Sequence, residues 1–199
     1  MSKATERKAK LHSDLIDAAE KRIATHGVAR LRARDLAADV GCSLGSIYNV
    51  FDDLHTIVLH ANLRTLRQMD KVMTEAAADV DISPVDRLLN LAWAYFDFAN
   101  THTNPWRGLF DHVFPAGLDT PDWMFQGQIE LLRHIQRPLA QVLPDKGDEE
   151  VFLITQTLFS AIHGIVELSL DDRTVGLPKD AVRDQIKTLI CAFLEGHKS

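Results

Sequence analysis

The chain has 199 residues, 46% of them hydrophobic and 25% charged, with a net charge of −6 and two cysteines. Such a composition buries a full core in one large or two small domains and excludes a disordered chain. No segment approaches 18 uninterrupted apolar residues and the basic, polar N-terminus leads into no apolar run, so the expectation is a cytoplasmic protein with neither a membrane span nor a secretory signal.

Residues 1–12 hold Lys3, Arg7, Lys8 and Lys10 and almost no apolar side chains, which predicts a basic disordered arm, either adding phosphate contacts or a plain solvated tail. Helical spacing then begins near Ser13, with Leu15, Ile16, Ala19 and Ile23 on one stripe and Gly27 as the stop. Leu36, Ala37 and Val40 repeat at the same spacing until Gly41 interrupts them, and Ser43 stands where a new helix needs a cap. The segment reads as helix, tight turn, helix. The second helix would bury Ile47 and Phe51 and leave Gly45, Ser46, Tyr48 and Asn49 outward. A DNA major groove, about 12 Å wide, admits one helix if the residues near its N-terminus are small, a need that Gly45 and Ser46 meet. Tyr48 can offer its hydroxyl to a phosphate, and Asn49 can read a base edge. An ordinary helical hairpin with a solvated face has the same spacing.

Asp52 or Asp53 caps a long helix through Ile57, Val58, Ala61, Leu63, Leu66, Met69 and Val72 to about Ala78, about 38 Å at the usual rise. Ser83-Pro84, Asn104-Pro105 and Thr120-Pro121 each put a capping residue before a proline, predicting helices near 84–101, 105–114 and 121–143, the last kinked by Pro138. After the turn at 145–148, with Asp148 as cap, a helix follows that is apolar nearly all round. It must be covered on both sides, and Ser160, Ala161 and Gly164 allow a second subunit to approach closely. Beyond Gly176-Leu177-Pro178 a final helix carries Val182, Ile186, Leu189, Ile190 and Phe193 on one stripe. With no sheet signal and no internal repeat, the fold class is all-α, with about nine helices.

Charge is distributed unevenly. Residues 1–34 hold nine basic and four acidic residues, whereas 61–199 hold 13 basic and 20 acidic. The asymmetry suits a protein that touches phosphate with one end only. Cys42 and Cys191 lie in segments assigned to different domains, which argues against a disulfide. Glu130 with His134, and His163 with Glu167, are spaced i, i+4 and could hold a metal, but exposed helix pairs and satisfied histidines have the same spacing. HExxH, GxSxG, a phosphate-binding glycine loop and GxGxxG are all missing, so no catalytic residue, metal or cofactor is expected.

From Leu15 to Val58 the chain resembles the tetracycline-repressor-like (TetR/AcrR) transcriptional regulators. The resemblance rests on LIDAAEKRIATHG, RDLAADVGCS, GSIYNVF and DDLHTIV, with the alanine pair, Gly27, Leu36-Ala37, Gly41, Ser43, Tyr48 and Phe51 at the family's separations. It implies a three-helix DNA-binding domain with a helix-turn-helix over 13–58 and a larger helical effector-binding and dimerisation domain over 59–199. It further implies a repressor that binds a palindromic operator in double-stranded DNA as a homodimer, joined through the last two helices, and is released by a small-molecule effector. DNA contacts fall to Arg34, Ser43, Leu44, Gly45, Ser46, Tyr48 and Asn49, with Arg34 and Ser46 or Asn49 reading bases and Tyr48 and Ser43 gripping phosphate. The stretch 93–125 holds nine of the chain's 14 aromatic residues, where rings could line a cavity or simply fill the core. The family takes its effector in this half of the C-terminal domain, and helix position selects Trp106, Phe110, Trp123, Phe159 and His163 as the lining. Three positions depart from the family pattern. Arg32 replaces a capping Thr or Ser, Val50 a common His or Tyr, and Leu54 a phosphate-binding Lys. The last two keep open a helical scaffold, or an enzyme, that has lost operator binding.

Overall fold

The computed structural model describes residues 2–112, 120–171 and 175–197. Among them are nine α-helices and one 3-10 turn, and no strand, so the all-helical expectation holds. In order they are α1 (Lys3–His26), the 3-10 turn Val28–Arg30, α2 (Ala33–Val40), α3 (Leu44–Tyr48), α4 (Leu54–Ala76), α5 (Pro84–Thr101), α6 (Thr103–Asp111), α7 (Asp122–Val142), α8 (Asp148–Ser169) and α9 (Val182–His197).

The disordered arm expected over 1–12 is instead the first part of α1. Ser2 caps it, its Oγ accepting from the Thr5 N–H at 3.3 Å, and Glu6 lies in the first turn against the positive helix end. Lys, Arg, Ala and Glu are strong helix formers, so a polar stretch continuous with an amphipathic helix extends it rather than frays. Asp53 caps α4 through the Thr56 N–H at 2.7 Å, and Ser83 caps α5 through the Asp86 N–H at 3.0 Å. Two other caps differ. α8 is preceded by Gly147 rather than capped by Asp148, and α6 begins at Thr103 while the Asn104 side chain turns to the Ala24 carbonyl at 2.9 Å. Pro138 lies within α7. The end of the helix expected at 105–114 lies outside the described residues.

The chain packs as two compact units, Met1–Arg67 with His102–Phe125 and Gln68–Thr101 with Gln126–Ser199. In the first, Leu15, Ala19, Ile23, Leu36, Ile47, Phe51 and Ile57 form the core, with Val50, Leu54 and Cys42 packed against it. α6 joins this unit because Asn62 donates to the Gly108 carbonyl at 2.8 Å and the missing side chain of Gly108 lets the backbone lie close. A Cβ there would meet Asn62 Oδ1 at 3.3 Å and Ile23 Cγ2 at 3.6 Å. Arg64 on α4 pairs with Asp17 and Glu20 on α1.

In the second unit α5 packs on α8 and α9. Val151, Ile154, Leu158, Ile162 and Val166 supply the buried stripe of α8, and Val182, Ile186, Ile190 and Leu194 that of α9. Arg183 on α9 reaches Asp97 on α5 at 2.6 Å. The opposite face of α8 keeps Leu153, Thr157, Ser160 and Leu168 exposed, and Gly164 opens onto free space. By length and composition α8 is apolar enough to cross a membrane, at a mean hydropathy of 1.5 over its most apolar window, although no single apolar run in it is that long.

Candidate functional site

The helix-turn-helix is built by local rules. α2 ends at Gly41, whose left-handed backbone (φ 70°, ψ 39°) turns the chain and lets the Cys42 N–H bond the Ala37 carbonyl at 2.9 Å. The next residues straighten until Ser43 caps α3, its Oγ accepting from the Ser46 N–H at 3.1 Å and lying 2.8 Å from the Ser46 hydroxyl. Ile47, fully buried, and Phe51 anchor the helix from below. The other side is open: Leu44, Gly45, Tyr48 and Asn49 are exposed, Tyr48 by 50%, and Ser46 is half-buried. Arg34, in the first turn of α2, is exposed as well. The seven residues read from the sequence therefore gather on α3 and the start of α2.

Arg32, at the cap position of α2, makes no capping hydrogen bond. α2 is held instead by Arg22 of α1, which grips Asp39 (Nη2 to Oδ1, 2.8 Å) and lies 3.5 Å from Asp35. The guanidinium holds the Asp39 carboxyl below the usual carboxylate range. These pairs neutralise two acids beside the presented face and leave Arg30, Arg32 and Arg34 exposed. Val50 and Leu54, where the family carries polar or basic residues, are partly buried against the core and serve packing.

Beneath the motif, the His12 ring stacks on Phe51 (centroids 4.4 Å, 21°) and His60 meets the same ring edge-on at 5.8 Å. No short spacing in the sequence signals this cluster, because α1, the segment after α3, and α4 bring it together.

The five residues selected for an effector lining fall in both compact units. In the first, Trp106 is fully buried with its ring 5.4 Å from Phe110, which is 46% exposed, and Trp123 is 38% exposed and stacked on His60. In the second, Phe159 stacks on His163 (centroids 5.8 Å) and meets Tyr95 edge-on, with Tyr95 Oη 2.8 Å from His163 Nδ1. Tyr95 was not among the selected residues, although it belongs to the same aromatic stretch. Burial holds His163 below its ordinary pKa, an effect that Glu167 partly offsets.

The two histidine–carboxylate pairs have other partners as well. His134 bonds Asp70 at 2.8 Å and Glu130 pairs with Arg133, while His163 faces Tyr95. Among the described residues there is no cluster of three or more His, Cys, Asp or Glu able to hold a metal ion.

Residues 88–193, more than half of the chain, match the family profile described as tetracyclin repressor-like, C-terminal domain. No curated protein matches the chain. Among solved structures, a TetR-family transcriptional regulator from Streptomyces coelicolor aligns over 95% of this chain and 82% of its own, at TM-score 0.69 and 16% identity. BioQ, solved with its double-stranded DNA operator, aligns over 92% of this chain and 98% of its own, at TM-score 0.64 and 17% identity. RolR, in complex with resorcinol, aligns over 96% of this chain and 89% of its own, at TM-score 0.66 and 16% identity. The chain belongs to the tetracycline-repressor-like family of transcriptional regulators.

Proposed function

We propose that the protein is a ligand-responsive, DNA-binding transcriptional regulator, a repressor that holds a palindromic operator as a homodimer and leaves it when a small molecule binds. The observation that carries this reading is α3: a helix fixed by Gly41, Ser43 and Ile47 whose exposed face is small at its start and ends in Tyr48 and Asn49. Gly45 lets the backbone approach the groove floor, Arg34 and Ser46 or Asn49 read base edges, and Tyr48 meets phosphate. Because the Ser43 hydroxyl already caps α3, its part is to aim the helix N-terminus at phosphate more than to grip by itself. The DNA-contacting part is residues 13–58, assisted by the basic first turns of α1, and residues 59–199 carry dimerisation and effector binding.

The exposed α8 face around Ser160, Ala161 and Gly164 meets its symmetry mate, with α9 alongside, in a four-helix bundle. An effector is taken by one of two groups of rings, Trp106, Phe110 and Trp123 in the first compact unit or Phe159 and His163 with Tyr95 in the second. RolR bound to resorcinol and BioQ bound to its operator support a family that uses both kinds of ligand. α4, which has residues in both compact units, is the proposed switching element. The protein works in the cytoplasm, without a cofactor and without catalysis.

Footprinting on duplex DNA selected from the genome tests the reading. Two protected half-sites related by a two-fold axis, about 34 Å or a multiple apart along the duplex, are expected. A single asymmetric site, or none, would overturn it.

A further inference from the structure

The first compact unit contains a cleft of about 360 Å³ that the DNA-binding reading does not use. Its walls come from three helices: His12 and Ile16 on α1, His60, Arg64 and Arg67 on α4, and Trp123 at the start of α7. The volume lies in the lower part of the range of small-molecule sites, enough for a one- or two-ring compound.

Two features of the walls specify the chemistry. One is a flat aromatic surface. His60 and Trp123 lie nearly parallel, 13° apart with centroids at 5.0 Å, and Trp123 still keeps 38% of its surface open. Ile16 and Leu63 add apolar contact. His60 covers one face of Trp123, and a planar ring entering here stacks on the surface that Trp123 leaves open. The other is positive charge. Arg64 is committed to Asp17 and Glu20, but Arg67 is exposed and makes no ion pair among the described residues. His60 registers the balance: burial, then His12, Arg64 and Arg67, all hold it toward the neutral form. A carboxylate between Arg67 and the His12–His60 edge would gain charge-assisted hydrogen bonds that a neutral group would not.

We infer that this cleft is a binding site for a planar aromatic carboxylate, its ring stacked on the open surface of Trp123 and its carboxylate held by Arg67. The site adjoins the seat of the DNA-reading helix. His12 and His60 both pack on Phe51, and the Phe51 N–H bonds the carbonyl of Ile47, the anchor of α3. A ligand that shifts these imidazoles therefore shifts the seat of α3, and operator affinity changes with it. Only this regulatory consequence rests on the proposed function; the binding site does not.

The test is isothermal titration of the full-length protein with 2-naphthoate, 2-naphthamide and acetate, in the absence of DNA. Wild type is compared with Arg67→Gln, Trp123→Leu and, as a charge control outside the cleft, Arg137→Gln. All three positions are exposed, so the variants are expected to fold, which thermal melts check. The expected result is saturable 2-naphthoate binding, at least tenfold weaker binding of the amide, no acetate binding, a loss of at least tenfold in Arg67→Gln and in Trp123→Leu, and no change in Arg137→Gln. Absence of 2-naphthoate binding, equal binding of the amide, or indifference to both cleft substitutions would overturn the assignment. Since no DNA is present, such a failure is separate from a failure of operator binding.

Discussion

At the residue scale, the chain is held in place by a few caps and ion pairs, and these differ in how openly the sequence announces them. Gly41, Ser43, Asp53 and Ser83 act as stop or start signals because their partners lie within five residues. Ser43→Ala should cost about 1 kcal/mol in urea unfolding, because the Ser46 N–H loses its acceptor, and Ser43→Asp should retain most of the stability. Equal stability of wild type and Ser43→Ala would remove the cap from the account. Arg22 with Asp39, and Arg64 with Asp17 and Glu20, join residues 17 to 47 positions apart, and no periodicity points to them. Asn104 shows the two kinds of signal in competition. It precedes a proline as a cap should, yet a tertiary bond to Ala24 takes its side chain.

At the scale of elements, periodicity and cap-proline punctuation together located the long helices, and the errors occur where polar residues carry no period. The start of α1 is the clearest case: residues 3–10 are all exposed, so no buried stripe marks them as helical. Their removal should change stability by less than about 1 kcal/mol, since they bury little surface. If they follow the phosphate backbone, the same deletion should weaken operator binding and reduce the salt slope by about 0.9 for each phosphate that is no longer neutralised. An unchanged slope would make the segment a solvated helix end. For α8 the sequence showed an apolar helix with more surface to cover than its own domain supplies. The structure leaves Leu153, Leu168 and the small residues between them outward. Gly164→Glu should leave the protomer folded, because nothing lies within 4 Å of a Cβ there, and should convert dimer to monomer in sedimentation. A dimer that survives would move the interface away from this face.

At the scale of the whole molecule, the fold class was legible because all-helical chains declare themselves by spacing and punctuation. The grouping of α6 with the N-terminal helices was not, because it depends on a close approach at Gly108 and on Asn62, 46 residues from its partner. The same holds for the aromatic residues. The sequence identified a ring-rich stretch, but only the fold separates Trp106, Phe110 and Trp123 from Phe159 and His163 and brings His60 against Trp123. Burial also sets the acid response of the protein. His60, His112 and His163 all have pKa values below the ordinary 6.5, with burial as the leading cause. The unfolded chain therefore takes up these protons first, and stability should be constant above about pH 7 and fall as the pH drops through 6.5. Melting temperatures between pH 8 and 5 check this, and a curve that rises toward acid would contradict it.

The central claim, that α3 reads DNA, is tested most directly by titrating the purified protein onto duplex DNA from beside its own gene across a range of salt, with Tyr48→Ala and Arg34→Ala in parallel. The account predicts tight binding to wild type that falls steeply with salt and weaker binding in both variants at unchanged stability, Arg34→Ala also relaxing base preference at one position of each half-site. Binding that is equal in all three proteins, or insensitive to salt, would contradict it.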